Sequence, residues 1–267
     1  MNAFVDLYIQ QFKTSLAATL QYRASLAIWL IGHVLEPLVF LIVWSTVSNA
    51  SGGIIGGFTT QDFAAYFILL MLVNHVTYTW IMYEFEYRIR TGAFSFALLK
   101  PIHPIHSDIA DNIASKLITL PFMLLIAALM ALAFHPILSP PFWSVALAIP
   151  ALLLALLIRF LIEWTLAQAA FWTTRVSAIN QTYFVLMLFL SGQLAPLALF
   201  PVSLQNIAAI FPFRWMISFP LELLLGRLTA SQALMGLAAQ VAWIMVSVFL
   251  FRVIWRAGLR VYSAVGA

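Results

Sequence analysis

The sequence predicts an all-α protein with six membrane-crossing helices, and three observations carry that expectation. Of 267 residues, 64% are hydrophobic and 8% charged, whereas an ordinary soluble domain has roughly a quarter charged. Nine acids and thirteen bases cannot cover a water-facing surface of this size. Six apolar runs reach the ~20 residues that a helix needs to cross a hydrocarbon core of roughly 30 Å, and no succession of alternating ten-residue segments suggests a membrane barrel.

The elements follow in order. Residues 1–23 place Phe4, Tyr8, Phe12 and Leu16 at spacing four, with Asp6, Gln10, Lys13 and Thr14 elsewhere on the wheel. This is the pattern of an amphipathic helix lying on the membrane. It does not read as a cleavable leader, whose bases would precede a compact apolar core and a small-residue cleavage site. Spans are expected at 26–47, 63–83, 117–134, 142–172, 179–199 and 233–251. Between the last two, residues 200–230 are apolar but interrupted by Pro201, Pro212, Pro220 and Gly226, too broken for one crossing helix. Two short re-entrant helices on the outer side are expected there. No further domain fits, so 1–267 reads as a single transmembrane unit.

Charge gives the orientation. Lys13, Arg23, Arg88, Arg90, Lys100, Lys116, Arg175, Arg252, Arg256 and Arg260 all fall on one side of the six spans, which the positive-inside rule assigns to the cytoplasm together with both termini. The opposite connections, 48–62 and 135–141, contain no base, and the broken segment adds only Arg214 and Arg227. The net charge of +4 is thus a topological signal, and no nucleic-acid partner is expected. Glycine-rich 51–58 reads as an outer turn. The sequon Asn49-Ala50-Ser51 is short enough to arise by chance and reads as loop.

Several chemistries are excluded. There is no cysteine, hence no disulfide or thiolate mechanism. The only lysines, Lys13, Lys100 and Lys116, follow Phe12, Leu99 and Ser115, so no Gly-Lys-Ser/Thr phosphate loop exists. The largest polar segment, 84–116, holds Glu84, Glu86, Arg88, Arg90, Gly92, Lys100, Pro101, His103, Pro104, His106, Asp108 and Asp111. It reads as a docking surface for a cytoplasmic partner, against the plainer reading of a solvated loop. Metal binding by its histidines and aspartates is disfavoured, because Pro104 interrupts regular helical presentation.

Within the spans, Arg159 and Glu163 are four apart and share a helix face. Each charge costs about 2.5–3.5 kcal/mol at mid-bilayer on insertion scales. They read either as an ion pair holding helices together or as a substrate contact, at a depth that depends on whether the span starts near Trp143 or Pro150. Glu36, with His33 and Pro37 beside it, reads as a functional carboxylate or a buried hydrogen-bonding group. Trp80, Tyr83, Trp143, Trp164, Trp172, Trp215 and Trp255 sit mostly near span ends, as an interfacial belt would.

Ile89-Arg90-Thr91-Gly92 followed by Leu98-Leu99-Lys100-Pro101, and the series Gly192, Pro196, Pro201 and Pro212, together with the six-span layout, resemble a permease of the type-2 ABC exporter family. The resemblance implies a non-catalytic subunit of the bacterial inner membrane, without a cofactor of its own, ATP being bound by its partners. Those partners are two cytoplasmic ATPase subunits and a second permease copy or homologous permease, within membrane lipid. The cargo it implies is a hydrophobic or amphiphilic drug, lipid or lipid-linked glycan, moved outward. It also places an ATPase-coupling helix in 84–104, most narrowly at Arg88, Arg90, Gly92, Lys100 and Pro101, and re-entrant helices in 200–225. A secondary transporter or channel with Glu36 or Glu163 as proton site, or a lipid-modifying membrane enzyme using Arg159 and Glu163, explains neither the basic loop nor the broken hairpin.

Overall fold

The computed structural model describes residues 3–21, 23–173 and 175–263. It is all-helical apart from one small hairpin. In chain order the elements are α1 (Ala3–Gln21), α2 (Arg23–Ala50), β1 (Ile54–Ile55), β2 (Phe58–Thr59), α3 (Thr60–Thr77), α4 (Ile81–Arg90), α5 (Ala93–Leu98) and α6 (Ile105–Phe134). They continue with α7 (Phe142–Ala167), extended by a 3-10 turn over Gln168–Phe171, then α8 (Ser177–Leu190), α9 (Val202–Ile210), α10 (Pro212–Met216), α11 (Ser218–Leu224) and α12 (Ala230–Val261).

Among the described residues five stretches are long and apolar enough to cross a membrane: Ile28–Ala50, Thr60–Arg90, Ile105–Phe134, Phe142–Phe171 and Ala230–Val261. The expected fifth run, 179–199, instead yields the 14-residue α8, roughly 21 Å long. Gly192 follows at φ +87°, and a Cβ there would lie 2.7 Å from the Tyr66 hydroxyl, which donates to the Gly192 carbonyl. Pro196 then precedes only a single 3-10 turn over Leu197–Leu199. In 200–230 the prolines start the helices: Pro201 precedes α9 and Pro212 opens α10.

Two boundaries differ from expectation. The helix expected from 117 begins at Ile105, so residues 105–116 of the supposed loop are helical. The expected second span is interrupted at Tyr78-Thr79-Trp80 and resumes as α4 to Arg90. The early start of α6 comes from packing against α1, where Tyr8 Oη meets His106 Nδ1 at 3.1 Å and Gln11 donates to Asp111 at 2.8 Å. α1 is thus held to α6 by polar contacts. Phe4 and Arg23, named above, have side chains outside the described residues.

Caps and turns behave as their chemistry demands. Thr59 and Asp62 form a capping box on α3, as do Thr229 and Gln232 on α12, satisfying first-turn N–H groups. Gly56 and Gly57 link β1 to β2 with positive φ at both positions, as a tight hairpin turn requires.

α3 lies at the centre and is largely buried, whereas little of α2 or α12 is. Phe63, Phe67, Leu70 and Met71 of α3 are all but fully buried. Small residues let the neighbours close in, with Ala148, Ala151 and Ala155 of α7 buried. Gly236 of α12 lies so near Phe219 of α11 that a Cβ would sit 2.0 Å from the ring. Gly236→Ala therefore forces a buried ring to move, and should lower stability by about 1–3 kcal/mol, read as an earlier thermal unfolding transition in detergent. Gly32→Ala, with nothing within 4 Å of the new carbon, should leave that transition in place.

Candidate functional site

The interruption of α3–α4 would leave backbone groups without helical partners inside the protein, a situation tolerated at membrane depth only where other groups satisfy them. Here those of Tyr78 have partners. The Tyr78 N–H donates to the Asn74 carbonyl at 2.8 Å, and the Tyr78 carbonyl accepts from Lys116 Nζ, which also donates to Asn112 Oδ1 at 2.8 Å. The Thr79 hydroxyl donates to Glu163.

Arg159 and Glu163 close this centre from α7. Arg159 Nε donates to Glu163 Oε1 at 2.8 Å, with side-chain exposures of 2% and 1%. Nη1 donates to Asn74 Oδ1 at 2.7 Å and Thr77 Oγ1 at 3.1 Å, and the guanidinium carbon lies 5.2 Å from the Tyr78 ring centroid. From α8, the Tyr183 hydroxyl donates to Glu163 Oε1 at 3.0 Å. α7 begins at Phe142, so Glu163 stands twenty-one residues on, roughly 31 Å along the axis. Asn74, Lys116 and Tyr183 belong to this centre but were not singled out for it; the available signal was a polar side chain inside an apolar run.

A second cluster ties α4, α5 and α6 together. Arg88 donates to Glu84 Oε1 at 3.0 Å and Asp108 Oδ1 at 2.6 Å. Trp164 Nε1 donates to the other Asp108 oxygen at 2.8 Å. Trp164 is fully buried among Phe85, Phe251 and Trp255, so it does not belong to an interfacial belt. Gly92, at φ +72°, forms the N-cap of α5. Phe94 points inward, with ring centroids 4.8 Å from Phe85 and 5.6 Å from Phe171 and Tyr262, while the Ser95 hydroxyl reaches the Tyr262 hydroxyl at 2.8 Å. The other side carries Tyr87, Phe96 and Leu99, exposed at 62%, 73% and 81%. Arg90, with its side chain 55% exposed, pairs with Glu86 at 3.7 Å, and Lys100 and Pro101 are exposed. Of the named residues, then, Arg88 is a clasp, whereas Arg90, Lys100 and Pro101 face outward.

The histidines and aspartates of this segment separate. His103 accepts from the Ile105 N–H and packs against Trp255, ring centroids 4.4 Å apart. Burial, and then the neighbouring His106, hold its imidazole below the ordinary histidine range. His106 and Asp111 face α1, while Asp108 faces Arg88 and Trp164.

Glu36 stands apart from both clusters. It is exposed near the middle of α2 beside buried Pro37, and no hydrogen bond or ion pair engages it among the described residues. His33, one turn earlier, stacks on Trp29 at 3.8 Å and meets Tyr78 edge-on at 4.9 Å.

Because Glu163 also accepts from Thr79 and Tyr183, and Arg159 also donates to Asn74 and Thr77, removing either charge strands the other. Arg159→Gln should destabilise the protein more than Arg159→Gln combined with Glu163→Gln, with a coupling energy of order 1–3 kcal/mol. Thermal unfolding of the four proteins in one detergent measures it, and simple additivity would remove the pair as a unit.

A model described as an ABC-2 family transporter protein matches residues 34–266, covering both clusters and nearly the whole chain. A comparison with curated proteins returns no match. The match agrees with the five long apolar helices and with the resemblance drawn from the loop and proline motifs. The chain belongs to the ABC-2 family of transporter membrane proteins.

Proposed function

We propose that this subunit is the permease of an ATP-driven exporter, moving a hydrophobic or amphiphilic cargo outward across a bacterial inner membrane. It works with a second copy or homologous permease and two cytoplasmic ATPase subunits. Both termini lie on the cytoplasmic side, where the bases concentrate. The sixth crossing is made by α8 with the chain after it, and α9–α11 form the re-entrant outer segment. The observation that carries the proposal is α5: a short helix anchored inward by one fully buried ring, Phe94, while Phe96, Leu99, Arg90 and Lys100 stand outward. A solvated loop would have no use for two large exposed apolar side chains beside bases, and a docking surface does.

Motion delivered to α5 has two routes inward. Phe94 presses on Phe85 of α4, Phe171 and Trp255 of α12. Arg88 carries α4 with Asp108 of α6 and, through it, Trp164 of α7. Both routes lead along α4 to the interruption at 78–80, the place in that span where helical hydrogen bonding is already given up. An exposed carboxylate on mid-α2 is expensive against hydrocarbon, so Glu36 faces the second permease or the cargo path.

The test is recovery of the complex with a phosphate-loop ATPase partner, together with its ATPase rate and cargo export. Phe96→Asp combined with Arg90→Glu should reduce complex recovery tenfold or more without altering insertion or thermal stability. Arg88→Glu, which sets a third carboxylate against Glu84 and Asp108, should instead lower the unfolding temperature. Wild-type recovery and export in the Phe96/Arg90 variant would show that α5 is not the docking element, and ATP hydrolysis by the purified subunit alone would contradict the division of labour.

A further inference from the structure

Between α1, the α3–α4 interruption and α6 lies an open cavity of about 560 Å³. One wall belongs to α6 and presents Asp111 and Lys116; across from it stand Trp29, Tyr78 and Trp80. Neither residue has an ion-pair partner among the described residues. Lys116 donates to the Tyr78 carbonyl and to Asn112, both uncharged acceptors. Asp111 accepts from Gln11 and Ser15, both uncharged donors. Among the described residues neither lies within 4.0 Å of an opposite charge, whereas the other acids of the cavity, Glu84 and Asp108, are both held by Arg88.

Depth orders these two charges. α6 has 30 residues, roughly 45 Å, against a hydrocarbon core of roughly 30 Å. With its apolar end at Phe134 filling the core, the surplus is the polar first three turns. Lys116 then stands at the hydrocarbon edge, and Asp111 roughly 7.5 Å further out, among headgroups. A phospholipid with an amine in its headgroup carries its charges in that same order, the phosphate nearest the acyl chains and the ammonium beyond it.

We infer that this cavity is a binding site for a phospholipid with a primary-amine headgroup, its phosphate on Lys116 and its ammonium on Asp111. The aromatic wall would not hold the ammonium, because its rings are already engaged: Arg159 over Tyr78, His33 against Trp29 and Tyr83 against Trp80. Those rings line the glycerol and upper acyl region instead, as amphipathic aromatics do at this depth. A primary ammonium donates charge-assisted hydrogen bonds to a carboxylate; a quaternary one cannot. The inference goes beyond the export reading and does not depend on it, since the site requires neither ATPase nor cargo movement.

The test is equilibrium binding of short-chain phosphatidylethanolamine, phosphatidylcholine and phosphatidylglycerol to the purified full chain in detergent. The ethanolamine lipid should bind at least tenfold more tightly than the other two. Lys116→Met should weaken it at least tenfold, with Lys116→Arg restoring most of the loss. Asp111→Asn, whose amide oxygen still accepts from Gln11 and Ser15, should abolish the preference for the amine while retaining phosphatidylglycerol binding. Glycerophosphoethanolamine, which lacks acyl chains, should bind at least tenfold more weakly than the lipid. Equal binding of the three lipids by the wild-type chain overturns the proposal whatever the variants do, as does an unchanged preference in folded Asp111→Asn or equal affinity for the chainless headgroup.

Discussion

An interrupted helix in a membrane span survives where freed polar groups find partners within the protein, and in this chain a buried guanidinium and carboxylate join the polar side chains around the break. Arg159 and Glu163 stand one turn apart on α7. Between them they hold Asn74 and Thr77 at the end of α3, Thr79 inside the break, and Tyr183 on α8. Two charges that would each cost about 2.5–3.5 kcal/mol in hydrocarbon are here compensated by each other and by neutral dipoles. Removing one partner of such a pair typically costs about 3–5 kcal/mol, because the other is left buried and alone. The pair therefore fixes where the α3–α4 span bends and which helices meet there.

The direction of α4 follows from that bend, and α4 in turn sets the element that meets a partner. Arg88 near its end clasps Asp108, Asp108 is held by Trp164, and Phe85 receives Phe94 of α5. The polar centre and the outward face of α5 are thus two ends of one packed path, made of an aromatic stack beside a short chain of charge-assisted hydrogen bonds. Packed cores of this kind shift between discrete arrangements rather than deforming smoothly, which suits an element that must pass a push across a subunit. The same bend opens the cavity beneath α1, so one interruption serves both the route inward from α5 and the amphipathic pocket beside it.

Much of this was legible in the sequence, for physical reasons that can be named. Long apolar runs marked the five long helices and spacing four joined Arg159 to Glu163, whereas the stop of α8 at Leu190 was missed, because the apolar run continues through Gly192 and Pro196 to Leu199. The interruption at 78–80 was not legible, because Tyr-Thr-Trp contains neither glycine nor proline and the break is held open by side chains on α6 and α7. Nor was the early start of α6. Its first turns are polar on the faces that meet α1, Arg88 and the cavity, so their composition resembles a solvated loop. Trp164 looked interfacial because it lies near a span end; its burial depends on Asp108, 56 residues away in sequence. Arg88 likewise read as a surface base, and only the fold showed it to be a clasp.

The absence of cysteine makes the central claim directly measurable, since two introduced cysteines are the only attachment points for spin labels. Labels at the exposed positions Ala93 of α5 and Leu132 near the far end of α6 report, by pulsed electron paramagnetic resonance, how firmly α5 is held relative to the bundle. If the Arg159–Glu163 centre fixes the bend, the distance distribution is narrow in the otherwise native chain and shifts or broadens in Glu163→Gln, while Glu36→Gln leaves it unchanged. An identical narrow distribution in folded Glu163→Gln would contradict the account, because α5 would then hold its place without the buried pair.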